Sequence, residues 1–126
     1  MATQTKRPVY LNVTEIKLPI AGIMSILHRI SGVLMFLGTP LMIYLLGLSL
    51  SGEQGFAEAT ELAHNWFFVL IIFGLVWSLM HHLLAGIRYL LIDIDIGVEK
   101  PLYRQTAQAV VYAAPVLALI VTGVML

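Results

Sequence analysis

Three stretches of this sequence carry no charged residue: Ile30 to Leu50, Trp66 to Ile87, and Ala107 to Leu126. Each is about the twenty residues that a helix needs to cross the hydrocarbon core of a bilayer. In the first, apolar character begins earlier, at Ile23, broken only by His28 and Arg29. The pattern predicts an all-α integral membrane protein forming a single transmembrane domain over residues 1–126, with three transmembrane helices at about 23–50, 66–88 and 107–126. Between the first two spans, "SGEQGFAEATELAHN" (51–65) opens on Ser-Gly and Gln-Gly turn signals and reads as a polar loop with a helical turn in its acidic stretch. Asp93, Asp95, Glu99, Lys100, Pro101 and Arg104 mark the second loop, and Pro115 is a candidate kink in the third span.

Composition narrows the class. The chain has 126 residues, 60% hydrophobic and 11% charged, with a mean hydropathy of +0.92. Three spans leave no room for a soluble catalytic domain, and a transporter built from internal repeats needs more helices than these. One subunit of a larger membrane assembly is the expected role, with lipid around it and no nucleic-acid partner. With no cysteine, a metal would have to be held by histidine or carboxylate. Residues 1–22 lack an apolar core ahead of a cleavage site, so they read as a cytoplasmic segment rather than a signal peptide, with the first span as the insertion signal.

The basic residues set an orientation. Lys6, Arg7, Lys17 and Arg29 precede or open the first span, Arg88, Lys100 and Arg104 lie at or after the end of the second, and 51–65 has neither Lys nor Arg. By the positive-inside rule the N-terminus and second loop are cytoplasmic, and the first loop and C-terminus lie outside.

The unusual chemistry lies in "SLMHHLLAGIRYLL" (78–91), where His81, His82 and Arg88 interrupt an apolar helix. Ionisable groups at such depth are costly and mark functional sites. Adjacent helical positions point about 100° apart, so only one histidine is the principal inward group. Steps of four from His82 meet Gly74, Ser78 and Gly86, with Ala85 beside them, a groove that would admit a flat macrocycle. The same steps from His81 meet Trp77, Ala85 and Tyr89, a bulkier face. Haem ligation by His82, plain helix packing and a polar interhelical bond all fit this spacing.

A second cluster, "SILHRISG" (25–32), opens the first span. Ser25 and Arg29 share a face and can donate hydrogen bonds to a quinone carbonyl or a carboxylate; equally, Arg29 can snorkel to lipid phosphates while Ser25 bonds its own backbone. Counting depth from the ends of the spans puts His28 near the surface and His82 about two helical turns below it. That spacing favours a propionate contact for His28 over axial ligation beside His82. His64 reads as a loop residue, and Asp93 and Asp95 as partners for an interfacial arginine or a peripheral protein.

Taken together, "SILHRISGV" (25–33) and "HHLLAGIRYLLID" (81–93) resemble the cytochrome b membrane-anchor subunit of succinate dehydrogenase, respiratory complex II, in its proteobacterial three-span form. The similarity extends from "KRPVYLNVTEIKLPIAG" to the third span. It rests on an S-x-x-H-R-x-S-G motif and an H-x-x-x-G-x-R-H motif, the latter ending here in Tyr89 instead of histidine. The resemblance implies that His82 is one axial ligand of a single haem b, shared with a second hydrophobic anchor subunit that packs its helices against this bundle. It implies that Ser25 and Arg29 line a ubiquinone site, and that His28 and Arg29 lie near the haem propionates. Flavoprotein and iron–sulfur subunits would dock on the cytoplasmic face of a bacterial inner membrane, with the C-terminus periplasmic, and electrons would pass to ubiquinone in the tricarboxylic acid cycle and respiratory chain. The chain itself performs no succinate chemistry. The rival readings are a fumarate reductase anchor, a haem-free structural subunit, and a proton relay through His81 and His82.

Overall fold

The computed structural model describes residues 16–126. The expected cytoplasmic segment 1–22, with Lys6 and Arg7, therefore falls largely outside the described residues. Four helices follow in order: α1 (Ile20–Ser49), α2 (Glu53–His64), α3 (Trp66–Asp93) and α4 (Leu102–Met125). Three of them, α1, α3 and α4, are long and apolar enough to cross a membrane. No strand occurs among the described residues.

Each long helix outruns its charge-free stretch. With 30, 28 and 24 residues, they extend about 45, 42 and 36 Å at 1.5 Å per residue, beyond a hydrocarbon core of about 30 Å. α3 continues past Arg88 to Asp93, and α4 starts at Leu102, so both take in residues expected to lie in the loop. The acidic stretch is also longer than one turn: α2 has 12 residues. Asn65 then ends α2 and starts α3, its side chain accepting a hydrogen bond from the Phe67 amide at 3.0 Å, a cap whose sequence signal is an Asn directly before an apolar run. α1 runs through Pro40 and α4 through Pro115.

The end of α3 explains one of the loop carboxylates. Asp95 adopts a left-handed φ of 61°, the Ile96 amide donates to the Leu91 carbonyl, and the Asp95 amide to that of Ile92, both at 2.9 Å. This is the hydrogen-bond pattern of a Schellman motif, with aspartate in the place glycine usually takes. Asp95 thus has a structural role in ending the helix.

Packing follows a size rule. α3 turns Ser78, His81, Ala85 and Arg88 inward, and α4 answers with Ala107, Val110, Ala114, Ala118 and Thr122. Both series repeat every three or four residues, one stripe of a helix, and small residues allow close backbone approach. α1 adds Met24 and Ser31. Large apolar side chains such as Phe36 (77% exposed) and Val124 (83%) point away from this seam.

Candidate functional site

α1 and α3 run antiparallel, which brings His28 to His82. Their rings stack with centroids 4.0 Å apart and planes 15° from parallel. Tyr89 meets the His28 ring edge-on at 5.3 Å. Each imidazole lies toward a glycine of the opposite helix. A Cβ on Gly32 would stand 3.1 Å from Cε1 and 3.4 Å from Nδ1 of His82, and one on Gly86 would stand 3.9 Å from Nε2 of His28. Gly32 is the tighter case, since a methyl group there would press on the ring.

Hydrogen bonding fixes the chemistry of His82. Its Nδ1 lies 3.1 Å from the main-chain carbonyl oxygen of His28 and 3.3 Å from the hydroxyl oxygen of Ser31. A carbonyl oxygen can only accept, so Nδ1 carries the proton and donates. Nε2 is then the nitrogen with a free lone pair, the arrangement typical of a histidine ligand oriented by a main-chain carbonyl.

His81 has a different position. It is fully buried, stacked on Trp77 at 5.6 Å, with Nε2 3.4 Å from the Met24 carbonyl oxygen and Nδ1 unpartnered. The buried stripe of α3 is therefore the one through His81, and His82 sits on its flank against α1. Ser78 and Ala85, expected to clear space beside His82, instead admit the neighbouring helices, because a small-residue stripe is where backbones approach.

The expected difference in depth is absent too. Ring centroids 4.0 Å apart cannot differ in depth by two helical turns, about 11 Å. The depth count started from Arg88 as the membrane surface, whereas Arg88 lies within α3, 5% exposed. Its Nε donates to the Thr106 hydroxyl at 3.0 Å and its Nη2 to the Tyr103 carbonyl at 2.9 Å, and the guanidinium lies 4.7 Å from the Tyr103 ring centroid. Arg88 is a strut between α3 and α4 rather than a partner of Asp93 or Asp95.

Ser25 and Arg29 occupy successive turns of α1, about 40° apart around its axis. Ser25 is half-buried and Arg29 exposed. His64 lies at the opposite end of α1, on α2, its Nδ1 2.8 Å from the Thr60 carbonyl oxygen. Among the described residues, no three His, Asp or Glu side chains converge to hold a metal ion by themselves. What the bundle offers is the His82 imidazole, its Nδ1 held by a main-chain carbonyl, and, nearer the start of α1, a hydroxyl and a guanidinium.

Residues 3–122 match the succinate dehydrogenase/fumarate reductase transmembrane subunit family. The chain belongs to that family. Succinate dehydrogenase cytochrome b556 subunits are similar along nearly their full length: that of Coxiella burnetii is 36% identical over 120 residues, covering 94% of this chain and 95% of the relative. The Paracoccus denitrificans protein is 32% identical over 114 residues, covering 90% and 88%, and that of Rickettsia conorii 28% over 115 residues, covering 91% and 90%. This succinate dehydrogenase/fumarate reductase transmembrane subunit is thus a multi-pass membrane protein, and its three long helices serve as a membrane anchor.

Proposed function

We propose that this chain is the cytochrome b subunit of a succinate:ubiquinone oxidoreductase, holding one haem b through His82 and contributing Ser25 and Arg29 to a ubiquinone site. The observation that carries the haem assignment is the bond from His82 Nδ1–H to the His28 carbonyl, which leaves Nε2 unprotonated for iron. The residues fit the group: the imidazole is oriented by a carbonyl and a hydroxyl, and Gly32 leaves room for it. His28 does not suit a second ligand to the same group as His82, because stacked rings aim their nitrogens side by side. A second ligand would come from a sister anchor subunit, and His28, with Arg29, would bond the haem propionates.

Bound haem supplies a one-electron store beside the quinone. Arg29 and Ser25 bind and orient the quinone headgroup by donating to its carbonyl oxygen, and the guanidinium favours the charge that builds up on reduction. Lys100 and Arg104 line one recess together with Leu18, Pro19, Ile20 and Ala21, so the start of α1 and the α3–α4 connection lie at one end of the bundle. A basic end of this kind supports a cytoplasmic N-terminus, a periplasmic C-terminus, a bacterial inner membrane location, and docking of the flavoprotein and iron–sulfur subunits there. The proton-relay reading fares worse, since the ring N–H groups of His81 and His82 end on main-chain carbonyls, which pass no proton onward.

The test is a dithionite-reduced minus oxidised absorption spectrum of the complex purified through a tag on this chain. A b-type haem signal co-purifying with flavin and iron–sulfur subunits is expected, and it disappears in His82→Ala. A normal haem spectrum in that variant would overturn the ligand assignment.

A further inference from the structure

We infer that Ser31 is a positioning residue for His82, setting how strongly its Nε2 donates to iron, and that Gly32 completes the seat in which the ring rests. The inference rests on the haem reading above and goes beyond it, because it concerns the ligand's electronic character and not its identity.

The direction of the hydrogen bonds carries the argument. The Ser31 hydroxyl donates to the His28 carbonyl at 2.8 Å, so its proton is committed and its lone pairs face His82 Nδ1 at 3.3 Å. The same Nδ1–H lies 3.1 Å from the His28 carbonyl oxygen. One N–H is therefore shared between two acceptors, both supplied within one turn of α1. Drawing on that proton moves electron density through the ring to Nε2 and raises the ligand's basicity. A more basic imidazole favours ferric over ferrous iron. Ser31 is fully buried, so water does not replace the hydroxyl when it is removed. A serine that merely satisfied itself by bonding back along its own helix would have no such influence on the iron.

Gly32 supplies the steric half. A Cβ there would stand 3.1 Å from His82 Cε1, tighter than ordinary contact, whereas a Cβ on Gly47 of the same helix would meet nothing within 4 Å. Gly32→Ala pushes on the ring; Gly47→Ala changes the same helix by the same methyl group without touching it.

The experiment is a redox titration of the haem in the whole purified complex, with haem content measured per complex. Ser31→Ala is expected to retain haem and to shift the ferric-to-ferrous ratio at a fixed potential toward ferrous by about three- to tenfold. The upper end corresponds to a midpoint roughly 59 mV more positive for a one-electron couple. Gly32→Ala is expected to lower haem content while Gly47→Ala leaves it unchanged. An unchanged or more negative midpoint in Ser31→Ala overturns the role of Ser31, and equal haem loss in the two glycine variants overturns the seat. His82→Ala in the same series separates the two levels. If it keeps its haem, the ligand reading has failed; if it loses haem while Ser31→Ala titrates like the parent, only this inference has failed.

Discussion

Replacing Arg88 with alanine tests why an arginine stands inside an apolar helix. The side chain makes two hydrogen bonds to α4, to the Thr106 hydroxyl and the Tyr103 carbonyl, and lies over the Tyr103 ring. Hydrogen bonds from a charged donor contribute about 1.5–3 kcal/mol each, and a partly desolvated cation–π contact about 1 kcal/mol. Since the charge itself has to be taken out of water, the bottom of that sum is appropriate, and Arg88→Ala is expected to cost about 4 kcal/mol. Thr106→Val removes one acceptor and is expected to cost about 1–2 kcal/mol. The double variant should then lose less than the sum by about 1–2 kcal/mol, the coupling between the two side chains. Reversible unfolding of the complex in mixed detergent micelles, monitored by helicity, gives the four stabilities, and hydrogen exchange at the start of α4 reports the local loosening. Additive losses, within about 0.3 kcal/mol, would refute the strut and return Arg88 to the membrane surface.

Two further expectations concern other parts of the chain. Arg29→Ala should reduce quinone reduction at least about tenfold, one lost charge-assisted hydrogen bond, while succinate oxidation with an artificial acceptor stays normal; equal loss of both would remove Arg29 from the quinone site. Ala114→Leu puts a branched side chain into the fully buried seam between helices and should destabilise the complex by about 1–3 kcal/mol, whereas Val116→Leu, at a position 55% exposed, should change stability far less. The same detergent unfolding measurement compares them, and similar losses would show that the alanine seam is not the tight contact.

The number of spans was legible because charge is excluded from the hydrocarbon core, and each charge-free run falls within one residue of lying wholly inside a helix. The helix ends were not, because a helix continues into the headgroup region, where Asp93 and Arg104 are tolerated. That single effect also misled the depth comparison, which took Arg88 as the surface and so separated His28 from a ring it stacks against. Periodicity separated His81 from His82 by angle, yet periodicity has no information on which neighbour fills a groove: Ser78 and Ala85 are buried in the bundle, whereas a Cβ on Gly74 would meet nothing within 4 Å. The bond from Nδ1 to the His28 carbonyl involves a main-chain atom, so no side-chain pattern announces it. By contrast, Gly32 next to Ser31 was visible in the motif, and its purpose emerges only once the opposing ring is seen.

The alanine ladder of α4 has a consequence for how such a chain stores its folding instructions. In a soluble protein polarity separates inside from outside; here nearly every position in a span is apolar, and that distinction is silent. Volume takes over as the code. Ala107, Ala114 and Ala118 are hidden while Leu119, Ile120 and Val124 are not, so on the packed face of α4 small residues spell the centre and bulky ones elsewhere spell the rim. A substitution table that scores alanine to leucine as a mild exchange would misjudge every such site, because in this alphabet the two letters have opposite meanings.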